Sequence, residues 1–455
     1  PVELGVEKEM GITKDDIGKT VSIEEYNAHC RSNVMKFTAE WENLSRLMGY
    51  WVDMKRPYIT YENYYIESVW WLLHNLYSQG LIYKGYTIQP YSPAAGTGLS
   101  SHELNMPGCY RDVKDTTVTA MFHMTSPLGA FKTDWGETYF MAWTTTPWTL
   151  PSNTALCVGP KIDYVLVNTF NPYTSQPISV VMAEARIASY CNPAGAEAAM
   201  ENYEKGGKIL PYRVVAHFKG TDLEGLKYEQ LFAYVNPGEG AFRVILGDYV
   251  STEDGTGIVH IAPTFGADDA FVAKKAGVPA LQLIDKNGNK RPMVDLKGRF
   301  YKLEDLDEDF KQKHMNVDLY KTYAGRFVKN AYDDKLTDKD ETLDISICME
   351  LKASGLAFRI EKHVHNYPHC WRTDKPILYY PLDSWFIRST ARKERMFELN
   401  KNIKWKPQST GTGRFGKWLE NLNDWNLSRS RFWGTPLPIW RSERREEICI
   451  SSIEE

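Results

Sequence analysis

The chain has 455 residues, 43% hydrophobic and 25% charged, with 54 basic against 58 acidic side chains and a formal charge of −4. At roughly 150 residues per domain this is about two to four domains with material for a full core, and the composition excludes a collagen, a coiled-coil rod and a disordered tail. No run reaches the roughly 18 to 20 apolar residues of a membrane helix, and near-neutral charge confines any nucleic-acid contact to local patches.

The opening PVELGVEKEM lacks the basic and apolar pattern of a secretory leader, and a proline stands first where an initiator methionine is expected, which points to a piece of a longer protein. An amphipathic helix is expected around Thr38 to Met54. A stronger one is expected from about Thr60 to Gln79, with Thr60 as its cap, an apolar stripe of Tyr65, Val69, Leu72, Leu73 and Leu76, and Gly80 closing it. After Tyr110 the pattern changes to short β-branched and aromatic runs: Tyr139 to Trp143, Tyr164 to Asn168, Ile178 to Met182, Arg243 to Val250 and Gly257 to Ala262. Turn residues such as Asn171-Pro172 and Asn236-Pro237-Gly238 separate them. Asp333 to Glu341 is a charged linker, beyond which a tryptophan-rich α/β pattern returns. The layout expected is 1–110 as one part of an α/β body, 111–335 as an inserted β-rich domain, and 336–455 as the return into the body. Seven scattered cysteines with no C-x-x-C argue for a reducing, cytoplasmic setting.

Two segments carry chemistry. In Trp143-Thr144-Thr145-Thr146-Pro147-Trp148-Thr149-Leu150-Pro151-Ser152-Asn153, three threonines leave a strand and run into a proline. Pro147 fixes its own φ and disfavours the helical region for Thr146, so the hydroxyls are expected at a strand end on an extended backbone. An edge strand followed by a proline-rich loop is the plainer alternative.

The second segment, Gly255 to Asp269, reads as a glycine turn, a buried strand, a loop and a helix from Asp269 to Ala276. Asp268 suits the N-cap. Asp269 falls in the first turn, where the helix dipole favours a carboxylate able to meet a ligand ammonium. His260, taken alone, reads as a hydrogen-bonded core histidine more readily than as a site residue.

Together these segments resemble the editing domain of the isoleucyl-tRNA synthetase family, and Thr146-Pro147-Trp148 replaces the Arg-Pro-containing peptide of the valyl and leucyl relatives. Tyr367-Pro368-His369-Cys370-Trp371-Arg372, Ser384-Trp385-Phe386 and Asp424 to Gly434 resemble later stretches of that family, and Pro1-Val2-Glu3 resembles residues beyond its first catalytic segment. The resemblance implies an α/β multidomain protein, in which a β-rich, barrel-like α+β editing domain is inserted into a truncated Rossmann-type class I synthetase body. It also implies a ligase that charges tRNA(Ile) with isoleucine using ATP and Mg, and a second site that hydrolyses mischarged Val-tRNA(Ile). This family is itself the usual illustration of such a double sieve.

On that reading Thr144, Thr145 and Thr146 position substrate and water, and Asp269 anchors the α-ammonium group. Trp148 and His260 wall the side-chain pocket, and Asn153 lies at its rim. The HIGH and KMSKS signatures are missing and are expected before Pro1 and after Glu455, so no cofactor is expected in the chain and isoleucine activation is not its own. Phe265 stands where many bacterial relatives carry histidine, which removes that position as a shared base. Zinc is not expected: Tyr91 to Gly96 supplies no thiol, leaving Cys370 near His365 and His369 against the four ligands of a tetrahedral site.

Gly411-Thr412-Gly413-Arg414-Phe415-Gly416 matches G-x-G-x-x-G, but no apolar strand precedes it, which argues against a nicotinamide-binding oxidoreductase. The basic residues Arg388, Arg392, Lys393, Arg395, Lys401, Lys404 and Lys406 read as a solvated helix face or as contacts to tRNA phosphates. A monomer without membrane attachment is expected. The alternatives are a valyl-type editing module and a tRNA-binding module without hydrolytic activity.

Overall fold

The computed structural model describes residues 2–126, 133–207, 209–337, 339–442, 444 and 446–455; Pro1 of the opening segment and Asp338 of the charged linker lie outside them. The chain forms two compact units, one of residues 1–87 and 382–455, the other of residues 88–381.

In the first unit, helices Val2–Met10 and Ile23–Val34 enclose a small core of Val6, Ile17, Tyr26 and Cys30. The Glu3 carboxylate accepts hydrogen bonds from the Phe432 and Trp433 backbone N–H groups at 2.8 and 2.9 Å and pairs with Arg431 at 2.9 Å, so the opening segment is pinned to the tryptophan-rich return. The two expected helices form but are shorter. One runs Thr38–Leu47, stopped by Gly49 at φ +69°, not by Met54. The other runs Asn63–Ser78 with Glu62, not Thr60, at its cap, and Gly80 at φ +69° closes it as expected. A Rossmann-type body would show parallel strands joined by helices. Among the described residues this unit pairs Ile439–Arg441 with Glu447–Cys449, and Phe386–Ile387 with Trp425–Asn426, all antiparallel. The G-x-G-x-x-G match is helical: a Cβ on Gly411 would lie 2.1 Å from Trp405 and one on Gly416 2.4 Å from the Gly411 carbonyl oxygen, so these glycines serve close helix packing.

The second unit is built on β1 (Tyr110–His123), β2 (Glu137–Thr144), β3 (Ala155–Val158), β4 (Asp163–Phe170), β5 (Pro177–Ala183), β6 (Arg213–Lys219), β7 (Arg243–Leu246), β8 (Ile258–Ile261) and β9 (Ala357–Pro368), with helices α1 (Ala267–Ala276) and α2 (Leu343–Ala353). Six strands form an open sheet in the order β9-β1-β2-β5-β4-β6, and three form a second in the order β8-β3-β7. The barrel-like expectation is thus corrected, since neither sheet closes on itself among the described residues. Strand pairing also brings residues beyond 335 into the sheet, because β9 runs antiparallel to β1 from Ala357↔Ala120 to Pro368↔Tyr110.

The six-stranded sheet separates two cores, and the period-2 alternation of its strands feeds both. Val118, Ala120, Phe122, Phe140, Ala142, Leu166 and Val181 point into one; Met121, Met141, Val165, Val167, Val180 and Met182 point into the other. Strands buried on both faces need near-continuous apolar runs, which is why the segments read as strands without a polar face. The three-stranded sheet is tied to the larger one at Thr256, whose hydroxyl donates to the Met141 carbonyl at 2.6 Å and whose own carbonyl accepts from Ala183 N–H at 2.9 Å. Gly257 makes this approach possible: at φ +76°, a Cβ there would lie 2.4 Å from that of Ala183.

Candidate functional site

β2 ends at Thr144, and the chain turns into a short 3₁₀ helix, Pro147–Ser152, with Thr146 at its cap. Thr146 adopts φ −129° and ψ 71°, short of full extension. The cause lies in its hydrogen bonds: its N–H donates to Thr144 Oγ1 at 3.1 Å, and its carbonyl accepts from both the Thr149 N–H at 3.0 Å and the Thr149 hydroxyl at 2.8 Å. In a 3₁₀ turn, residues three apart eclipse, so Thr149 sits directly over Thr146. The result is a chain of hydroxyls, Thr144 Oγ1 to Thr146 Oγ1 at 3.3 Å and Thr146 Oγ1 to Thr149 Oγ1 at 3.4 Å, ending on His260 Nε2 at 3.1 Å. Thr145 is half-buried between its two bonded neighbours in sequence.

His260 comes from β8, where its register partner is Leu156 of β3. It is buried, and desolvation pushes its pKa down to about 4, so the ring is neutral near pH 7. Its Nδ1 has no hydrogen-bond partner, and neither has Trp148 Nε1, although both are buried. Trp148 packs edge-to-face on Phe265 with ring centroids 4.9 Å apart. The threonine peptide and the 260–269 segment therefore meet at Thr149–His260, at Trp148–Phe265 and where Asn153 Nδ2 donates to the Ile261 carbonyl at 3.5 Å.

Helix α1 begins at Ala267 with Gly266 at the cap, which corrects the assignment of that role to Asp268; Asp268 is exposed in the first turn. Asp269 is the third helical residue and folds back, its Oδ2 accepting from the Ala262 N–H at 2.8 Å. Glycine at 266 leaves the carboxylate its place, since a Cβ there would lie 2.6 Å from the Asp269 carboxyl carbon and would have to displace it. Desolvation raises the Asp269 pKa to about 6, against the opposing pull of the Ala262 N–H, and leaves the group largely ionised at pH 7. A carboxylate has about four lone-pair positions, so this single bond leaves capacity for a ligand ammonium.

Asn153 does not lie at a rim. It is buried, its Nδ2 donates to the Ala155 carbonyl at 2.8 Å and its Oδ1 accepts from the Tyr228 hydroxyl at 2.6 Å, so both ends of the amide hold the start of β3. The sequence does not single out Thr149, which the structure places between Thr146 and His260, although its place three residues after Thr146 in a proline-started turn is a signal for it. Asp344, whose Oδ1 accepts from the Trp148 N–H at 2.9 Å, gave no local signal because it lies 196 residues away.

A cavity of about 750 Å³ is lined by Lys114, Asp115, Lys329, Lys362 and Asp344 among others, but by no residue of 143–153. Its Lys329–Asp115 pair, at 2.7 Å, is largely buried, with His365 Nε2 3.2 Å from the same carboxylate oxygen. Burial works against the Asp115 charge, but Lys329 and His365 outweigh it and hold the carboxyl below its usual range. His365 is thereby engaged with Asp115, and among the described residues no three His, Cys, Asp or Glu side chains converge.

This arrangement, with a neutral imidazole, a hydroxyl chain and an ionised carboxylate on two adjoining segments, stands in a chain whose residues 1–455 match the family model of tRNA synthetases class I (I, L, M and V). The chain belongs to that family. Among its relatives, the isoleucine–tRNA ligase of Bacteroides fragilis (strain ATCC 25285) is 72% identical over 456 residues, covering 100% of this chain and 40% of that protein. That of Porphyromonas gingivalis is 67% identical over 457 residues with the same coverage, and that of Clostridium acetobutylicum is 40% identical over 455 residues, covering 37% of its length. The chain thus spans about 40% of the length of the first of these relatives. Among solved structures, the cytosolic leucyl-tRNA synthetase editing domain of P. falciparum aligns with 55% of this chain and 100% of its own, at 12% identity and a TM-score of 0.31.

Proposed function

We propose that this chain is the editing part of an isoleucine–tRNA ligase and hydrolyses mischarged Val-tRNA(Ile), within a whole enzyme that charges tRNA(Ile) with isoleucine in the cytoplasm using ATP and Mg. The observation that carries this reading is the continuous chain from Thr144 through Thr146 and Thr149 to a neutral His260, with the ionised Asp269 anchored two residues beyond His260 on the Ala262 N–H. The named relatives and the Thr146-Pro147-Trp148 peptide favour the isoleucyl over the valyl assignment.

In this mechanism Asp269 accepts from the α-ammonium group of the esterified amino acid and fixes the ester relative to the hydroxyls. Trp148 and His260 bound the space for the side chain. The Thr144–Thr146 hydroxyls orient a water whose oxygen attacks the ester carbonyl carbon; hydroxyl and backbone donors stabilise the developing oxyanion. The bond to the ribose oxygen then breaks, that oxygen takes a proton, and free valine leaves. A neutral imidazole hydrogen-bonded to Thr149 neither repels the ammonium nor competes for Asp269. The exposed basic residues Arg388, Arg392, Arg395, Lys401, Lys404 and Lys406 are candidates for tRNA phosphate contacts. One monomer suffices for all these roles.

Deacylation of Val-tRNA(Ile) and Ile-tRNA(Ile) by the chain and by Asp269→Ala tests the reading. Selective loss of valine that the substitution abolishes is expected. Intact tRNA binding without cleavage of either ester would instead support a binding module, and an acyl-enzyme trapped on a threonine would exclude direct attack by water.

A further inference from the structure

The Trp148 N–H is an orphan donor of the first turn of Pro147–Ser152, a group with no partner inside its own helix. Its partner, the Asp344 carboxylate at 2.9 Å, comes from α2 and is only 3% exposed. Asp344 stands in the first turn of α2, where Thr342 caps the helix by accepting from the Ile345 N–H at 3.3 Å. Its charge is therefore opposed by burial and favoured by two helix starts, its own and that of the threonine peptide. The one buried ammonium nearby, Lys329, is committed to Asp115 at 2.7 Å.

The carboxyl oxygen accepts from the Trp148 N–H at 2.9 Å whether or not the group is ionised, so the backbone of Trp148 is held by α2 while its ring is held by Phe265. Two anchors, one on its backbone and one on its ring, fix where its indole stands. We infer that Asp344 is a positioning residue for selectivity: by holding the Trp148 backbone it sets the wall that admits valine and excludes isoleucine. This rests on the editing reading above. The groups facing Asp344 are Lys329, Asp115 of β1, Lys362 and Tyr367 of β9 and Cys348 of α2 itself, and burial raises its pKa to about 7.

The test compares the full chain with Asp344→Asn, whose amide oxygen can still accept from Trp148, and Asp344→Leu, which cannot. kcat and KM are measured for both esters. Asp344→Leu should shift the Val/Ile ratio of kcat/KM toward isoleucine on the order of tenfold, with Asp344→Asn restoring most of the wild-type ratio. In case the leucine variant fails to fold, selective ¹⁵N-Trp labelling of the wild-type chain supplies a second readout. The Trp148 amide resonance should move as pH passes through about 7, and this movement should vanish in Asp344→Asn. A wild-type Val/Ile ratio in Asp344→Leu, or a Trp148 amide resonance that is the same in wild type and Asp344→Asn at every pH, overturns the inference. Should the wild-type chain cleave neither ester, the editing reading itself falls, and the selectivity role with it.

Discussion

Thr149 Oγ1 lies 3.1 Å from His260 Nε2 and is the link through which the hydroxyls of the threonine peptide reach the imidazole. Because His260 Nδ1 has no partner, this is the ring's one hydrogen bond among the described residues. Thr149→Val preserves the shape but strands a buried ring nitrogen, and should cost about 1–3 kcal/mol of stability. Thermal denaturation of the variant would show the loss, and Val-tRNA(Ile) hydrolysis should slow in parallel.

Gly266→Ala tests the placement of Asp269 without removing its charge. The added Cβ would overlap the carboxyl carbon at 2.6 Å and push the group off the Ala262 N–H. The backbone at 266, at φ −126°, accepts alanine without strain, so the fold should persist. Hydrolysis should fall on the order of tenfold to a hundredfold, since misplacing a binding group by about 1 Å is enough for that. Unchanged kinetics would show that the carboxylate position does not matter.

Asp269→Asn separates function from stability. With a folded-state pKa of about 6 against an ordinary 3.8, the native state holds the proton more tightly than the unfolded chain. This group therefore lowers stability as pH rises between those values. The asparagine variant should lose that slope and be more stable than wild type at pH 8, by on the order of 1 kcal/mol, while losing most of its hydrolytic activity. Paired denaturation curves at pH 4 and pH 8 would check the sign.

His260 contributes the opposite slope. Its folded pKa of about 4 lies below the ordinary 6.5, so the native state resists protonation and stability declines as pH falls through that window. Imidazole NMR should show His260 unprotonated and flat from pH 5.5 to 8. A titration near 6.5 would mean that the ring is hydrated in solution.

Lys329→Met should be among the most damaging substitutions outside the threonine peptide. It leaves the part-buried Asp115 charge with His365 as its remaining ion-pair partner. Breaking such a pair costs about 3–5 kcal/mol, and denaturant titration would show it. Recovery of stability in the double variant with Asp115→Leu would identify the stranded charge as the cause.

The strands of the second unit were legible in the sequence because β-branched and aromatic runs between turn residues have few other ways to bury both faces. Helix ends were less so. Thr60 was read as a cap and the helix starts three residues later, and Asp268 was read as a cap where Gly266 holds the position. In each case capping chemistry was satisfied by more than one nearby residue, and packing chose between them. The expected barrel rests on long-range strand pairing that a local pattern does not encode. Asn153 reads as a polar residue at a loop end, and only the Tyr228 hydroxyl, 75 residues on, turns it inward.

Local chemistry by itself determined that a threonine-proline turn and a glycine-bounded strand with a following acidic helix would form, because backbone restriction, alternation and glycine conformational freedom act over a few residues. Tertiary structure alone decided that the two would join at Thr149–His260 and Trp148–Phe265, that Asp269 would fold back on Ala262, and that Asp344 would reach Trp148 across 196 residues. Those contacts, and the pKa shifts of His260 and Asp269 that follow from them, depend on which surfaces exclude water together, and that is a property of the packed chain.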